Sequence, residues 1–66
     1  MKIKVNGESV NVNANTTLFQ LLDELKVKNE WVVCEVNGNI VKKDLFESQR
    51  LKDGDKLEIV SFVGGG

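Results

Sequence analysis

Two Asn-Gly dipeptides, Asn6-Gly7 and Asn37-Gly38, each flanked by short apolar runs, constrain this chain more than any other feature. Asn and Gly accept the positive φ angles of a tight two-residue turn, so each marks a point where the chain doubles back. Before the first turn, Ile3 and Val5 alternate with Lys2, Lys4 and Asn6. After it, Val10 and Val12 alternate with Ser9, Asn11 and Asn13. A period of two is the pattern of a strand buried on one face, and it predicts a hairpin of residues 2–6 and 9–13. The stretch from Trp31 to Val36 is rich in β-branched and aromatic residues, which favour strands. Glu35 belongs in water there, so Val32, Cys34 and Val36 take the inner face. Ile40-Val41, after the second turn, is a short fourth strand.

Between these strands the periodicity changes. Thr17 followed by Gln20 fits a capping box, in which each side chain satisfies a free backbone N–H at a helix start. Leu18, Leu21, Leu22 and Leu25 form one apolar stripe, with Asp23 and Glu24 on the other side and Glu24 spaced for an i,i+4 pair with Lys28. The expected helix covers about residues 17–27. Residues 43–49, with Leu45 and Phe46, read as a short helical turn, Asp53-Gly54-Asp55 as a tight turn, and Leu57 to Val63 as the last strand. A hairpin followed by a crossover helix requires a mixed sheet with the helix on one face. The expected class is α+β, a ubiquitin-like β-grasp of four to five strands packed on one main helix. In that expectation the crossover sets the third strand beside the hairpin, and the last strand runs parallel to the first. Residues 1–63 form the domain and Gly64-Gly65-Gly66 a tail.

Composition then narrows the function. The chain has 66 residues, enough for one sheet on one helix and not for a large pocket. Nine basic against ten acidic residues provide no electrostatic drive toward nucleic acid or an anionic membrane. Histidine is absent, which excludes imidazole acid–base catalysis, and the single cysteine excludes an intrachain disulfide or a cysteine-rich metal site. The start of the chain, with charge and apolar residues alternating, is unlike a signal peptide. A cytoplasmic protein is expected.

Few residues are equipped for chemistry. Cys34, on the inner face of its strand, reads as core. Asp53-Gly54-Asp55 lacks the remaining ligands of a calcium loop, and Lys42-Lys43 reads as solvated surface. Trp31 is either a binding anchor or a rim residue of the core. On the last strand Glu58, Val60 and Phe62 share the face away from Leu57 and Ile59. Two large apolar groups on an otherwise polar face beside the tail mark a protein-docking patch, unless a loop or Trp31 covers them. The three terminal glycines pack nothing and lose much entropy on ordering. They suit a thin arm: Val63 to Gly66 can extend about 13 Å at roughly 3.3 Å per residue, enough to thread a narrow channel. A frayed end is the competing reading.

The residues Val5-Asn6-Gly7, Thr16-Thr17-Leu18 with Leu21-Leu22, Val36-Asn37-Gly38 with Ile40-Val41, Leu51-Lys52-Asp53-Gly54-Asp55 and Phe62-Val63-Gly64-Gly65-Gly66 together resemble the ThiS family of sulfur carriers. The resemblance covers essentially the whole chain, and its glycine end is the specific part. It implies a carrier, not an enzyme. A ThiF-like adenylating enzyme would use ATP to activate the Gly66 carboxylate, and the carrier itself would bind no cofactor. Sulfur from a persulfide-bearing donor protein would then displace AMP and leave a thiocarboxylate. A ThiG-like thiazole synthase would receive that sulfur for thiamin biosynthesis. On this reading Gly66 holds sulfur, Gly64 and Gly65 are the threading arm, and Glu58, Val60, Phe62 and Val63 meet the partner, with no nucleic acid or membrane involved. A MoaD-like carrier for molybdopterin, a carrier for another thiolation pathway, and a β-grasp interaction module without sulfur are the alternatives.

Overall fold

The structure, a computed structural model, describes residues 1–62. Strands β1 (Lys2–Val5) and β2 (Glu8–Asn11) form the first hairpin. Helix α1 (Leu18–Glu24) follows, then β3 (Val32–Val36), β4 (Asn39–Val41) and β5 (Lys56–Ser61). Both Asn-Gly pairs adopt the positive φ their sequence announces: 51° and 87° at Asn6 and Gly7, 52° and 84° at Asn37 and Gly38. Those are the angles of a turn whose twist matches that of its flanking strands.

The five strands form one sheet in the order β2-β1-β5-β3-β4. β5 lies parallel to β1, as expected, and antiparallel to β3. The third strand is therefore not beside the hairpin. β5 occupies that place, because β1 and β3 each offer it an unpaired edge and its Leu57 and Ile59 fill the inner face between them. The fold is a β-grasp, with the sheet wrapped on one face of α1.

The capping box is present: Gln20 N–H donates to Thr17 Oγ1 at 3.1 Å and Thr17 N–H to Gln20 Oε1 at 2.9 Å. The helix is shorter than its apolar stripe suggests and ends at Glu24. Lys26 turns into the left-handed region at φ 59°, Val27 N–H donates to Leu22 O and Lys26 N–H to Asp23 O. This is a Schellman closure, which caps the last helical carbonyls and stops the helix. Leu25 accordingly leaves the stripe and is 41% exposed, and Lys28 lies beyond the helix that would have paired it with Glu24. Residues Asn29–Trp31 form a 3-10 turn in place of the start of β3, and residues 12 and 13 lie outside β2. A second 3-10 turn spans Lys43–Leu45, with Phe46 buried after it.

The core is one cluster made from Leu18, Leu21 and Leu22 of α1, Ile3, Val32, Cys34, Val36 and Leu57 of the sheet, and Phe46 and Leu51 from the loop between β4 and β5. That loop is tied to the helix start by backbone bonds from Leu18 to Gln49, Phe19 to Phe46 and Leu51 to Thr16. β5 is further fixed by the first turn: Ile59 N–H donates to Asn6 Oδ1 at 2.8 Å, and Asn6 Nδ2 donates to Ile59 O at 3.1 Å. The Asn6 side chain thus extends the β1–β5 ladder by two bonds beyond the end of β1.

Candidate functional site

The alternation along β3 and β5 sorts residues between the core and the opposite face of the sheet. Leu57 is buried and Ile59 half-buried on the inner side. Glu58, Val60 and Phe62 are exposed, Val60 at 51% and Phe62 at 55%. The expected parity of β5 holds, and no loop among the described residues covers Val60 or Phe62. Trp31 is 53% exposed, so it is not core, and its carbonyl accepts the Phe62 N–H at 2.6 Å.

The face is more apolar than the sequence suggested. Val33 of β3 stands directly opposite Val60, and Ile40 of β4 stands opposite Glu35 on the same side of the sheet. Val33 is 39% and Ile40 is 69% exposed. The inner-face assignment of Val32, Cys34 and Val36 already leaves Val33 on the water side with Glu35; what sequence reasoning missed is that Val33 and Ile40 share the face of Val60 and Phe62. The signal that finds them is the pairing register between distant strands. Val63, Gly64, Gly65 and Gly66, the remaining sequence candidates, lie outside the described residues. Phe62, at the edge of the patch, is the last described residue.

The other candidates resolve as structure. Asp53 Oδ1 accepts the Lys2 N–H at 2.8 Å, and Asp55 accepts from Lys52 N–H and Asn37 Nδ2, so both carboxylates organise turns. Cys34 is fully buried, and desolvation pushes its thiol from the ordinary 9.0 up to about 11. A thiol held neutral and out of solvent is a poor nucleophile. Among the described residues no group of His, Cys, Asp and Glu is arranged to hold a metal ion. No helix among them is long and apolar enough to cross a membrane. A hollow of about 440 Å³ beside α1, lined by residues including Thr16, Gln20 and Asp23, gathers no reactive group. The sheet face is thus the site that stands out.

Comparison with known proteins bears on the family and the fold. The profile of the ThiS family matches residues 3–66. The chain is 47% identical over 66 residues to a thiazole synthase of Paramagnetospirillum magneticum, covering all of this chain and 20% of that protein, so it spans about a fifth of that relative's length. It is 37% identical over 65 residues to the sulfur carrier protein ThiS of Bacillus subtilis, covering 97% of this chain and 98% of that one. The crystal structure of the thiamine biosynthesis protein ThiS from Geobacter metallireducens superposes with a TM-score of 0.85 at 36% identity, over the whole of both chains. With its β-grasp sheet, its exposed face on β3 and β5 and a match extending through the glycine end, this chain belongs to the ThiS family.

Proposed function

We propose that the chain is a sulfur carrier of thiamin biosynthesis, a co-substrate and not an enzyme. The observation that carries this reading is the ThiS-family match, which runs through Gly66 and so includes the tail that would hold the sulfur. The similarity to a segment of a thiazole synthase supports that enzyme as the partner that receives the sulfur.

The chemistry follows from the weakness of a carboxylate as an electrophile. Where the chain ends at Gly66, a ThiF-like enzyme joins the terminal carboxylate to AMP from ATP and releases pyrophosphate. A sulfur nucleophile derived from a persulfide-bearing protein then attacks the acyl carbon. AMP leaves and the glycine is held to the donor as an acyl disulfide; a second thiol then reduces that S–S bond, leaving a thiocarboxylate on the carrier and a disulfide on the donor side. A ThiG-like thiazole synthase takes the sulfur into the forming ring. Gly64 and Gly65 have no side chains to obstruct a narrow channel, and Glu58, Val60, Phe62 and Val63 form the surface that holds the carrier while the arm is engaged. All of these steps belong in the cytoplasm, where ATP and the partner enzymes would be found.

The test is to incubate residues 1–66 with ATP, a ThiF-family adenylating enzyme and a persulfide donor, and to follow intact mass. Exchange of one carboxyl oxygen for sulfur is expected, dependent on ATP. No mass gain with this enzyme, but gain with a molybdopterin-pathway adenylating enzyme, would move the chain to the MoaD-like alternative.

A further inference from the structure

On the outer face of the sheet, the β3–β5 ladder carries a graded series of matched pairs. Glu35 stands opposite Glu58, and Val33 opposite Val60. Trp31 and Phe62 follow, joined by the Phe62 N–H to Trp31 O bond. One rung beyond the glutamates, on the side away from the aromatic pair, Lys4 of β1 stands opposite Lys56 of β5. Read toward the tail, the face is cationic, anionic, aliphatic and aromatic, in that order.

Two of these pairs disfavour the fold. Like charges directly opposite in a sheet are destabilising, where opposite charges or β-branched pairs would contribute favourably. Successive residues on one face of a strand are roughly 7 Å apart, so Lys56 reaches the glutamate pair only by leaning its side chain along the strand, and it does not stand opposite either carboxylate. The domain is also small enough that each unfavourable pair matters to its stability. A glutamate pair beside an exposed valine pair is explained by an outside group that is itself cationic at its tip and apolar along its stem.

We infer that this face recognises a protein surface presenting an arginine, its guanidinium set between Glu35 and Glu58 and its methylene stem lying over Val33 and Val60, with an apolar residue of the same partner against Trp31 and Phe62. The guanidinium fork has donors enough for two carboxylates at once, which a lysine ammonium matches less well. The stem of an arginine covers apolar surface while its head stays with the charges. The acidic pair repels a phosphate backbone or an anionic lipid surface, and the apolar rungs require an apolar counterpart, so the complementary surface is that of a protein. The graded order also gives the docked carrier one direction, with the end bearing Phe62, where the tail departs, pointed toward the partner's apolar site.

This inference rests on the carrier reading and names the chemistry by which the adenylating partner holds the domain. The test compares wild type with Glu35→Gln, Glu58→Gln and the double variant, using a ThiF-family adenylating enzyme and ATP, with KM read from pyrophosphate release over a range of salt. The double variant should raise KM by roughly tenfold or more, with kcat little changed, and should flatten the salt dependence. In a thermal melt the same variant should be as stable as wild type or a few degrees more so, since the repulsion is gone. Phe62→Ala, at the other end of the series, should raise KM without altering the salt slope, since it removes apolar contact and no charge. A wild type that is not adenylated counts against the carrier reading itself. A wild type that is adenylated, with the glutamine variants equal to it, overturns the arginine contact alone. A dimer in sedimentation that the double variant abolishes would assign the face to a second copy and also overturn the proposal.

Discussion

Asn37 Nδ2 donates to Asp55 Oδ1 at 3.0 Å, joining the β3–β4 turn to the residue that precedes β5. The same carboxylate accepts the Lys52 N–H at 2.8 Å through its other oxygen, and Asn37 Oδ1 accepts the Lys56 N–H at 3.0 Å. Asp55 is consequently only 8% exposed although charged. Its burial is tolerated because each oxygen has a donor. The link fixes where β5 enters the sheet, and β5 carries the exposed Glu58 and Val60.

Replacing Asp55 with Ala leaves the Asn37 amide and the Lys52 N–H without their acceptor. Hydrogen bonds to a charged group are worth more than neutral ones, so the loss should be about 2 kcal/mol in urea unfolding. Asp55→Asn keeps one acceptor oxygen and should lose less. Equal stability of Asp55→Ala and wild type would show that the linkage does not hold β5.

Lys26 bears the left-handed conformation that closes the helix, at φ 59°. That region is costly for a residue with a Cβ and free of strain for glycine. Lys26→Gly should therefore stabilise the chain by about 1 kcal/mol, a rise in Tm of roughly 4–8 °C in a domain near this size. Lys26→Val, which adds β-branching in the same conformation, should lower Tm.

Cys34 allows a test of core against chemistry. Cys34→Ala removes a buried sulfur and should cost about 1–2 kcal/mol, while sulfur loading at the tail continues. The thiol also makes stability depend on pH. Its folded value of about 11 lies above the ordinary 9.0, so the unfolded chain loses this proton first. The contribution is fully present below pH 9 and is lost as pH rises toward 11. Wild type should therefore lose stability relative to Cys34→Ala by about 1.4 kcal/mol per pH unit within that window. Parallel pH profiles for the two proteins would refute the buried neutral thiol.

What was legible in the sequence was local. Asn6-Gly7, Asn37-Gly38 and the Thr17–Gln20 box each encode their geometry within a few residues, and the structure reproduces all three. The parity of β5 was legible because Glu58 fixes which side meets water. The insertion of β5 between β1 and β3 was not, since it is decided by pairing between residues more than fifty positions apart, such as Lys4 and Lys56. The helix end was hidden because lysine carries no signal for a left-handed angle. The Val33–Val60 and Glu35–Glu58 pairs were hidden for the same reason as the sheet order: each residue looks ordinary until its partner across the ladder is known.

The last prediction concerns the tail, proposed as necessary for function and idle in the fold. Gly64, Gly65 and Gly66 have no side chains to bury, and ordering them costs about 1–2 kcal/mol of backbone entropy per residue. Deleting Gly66 from a chain that ends there leaves another glycine carboxylate, so the reacting group is unchanged and only its reach shortens, by about 3.3 Å. Attack requires the reacting atoms within about 3.5 Å, and a misplacement near 1 Å can cost on the order of a hundredfold. The deletion should abolish or severely slow ATP-dependent adenylation while Tm stays unchanged. Gly65→Val tests width in place of length: its branched side chain should obstruct a channel shaped for bare backbone, again with Tm unchanged. The two variants are to be measured together by intact mass after incubation with a ThiF-family enzyme and by thermal melt. Near-normal sulfur loading of both would refute the threaded arm and favour a β-grasp interaction module, since such a module needs neither the length nor the thinness of this tail.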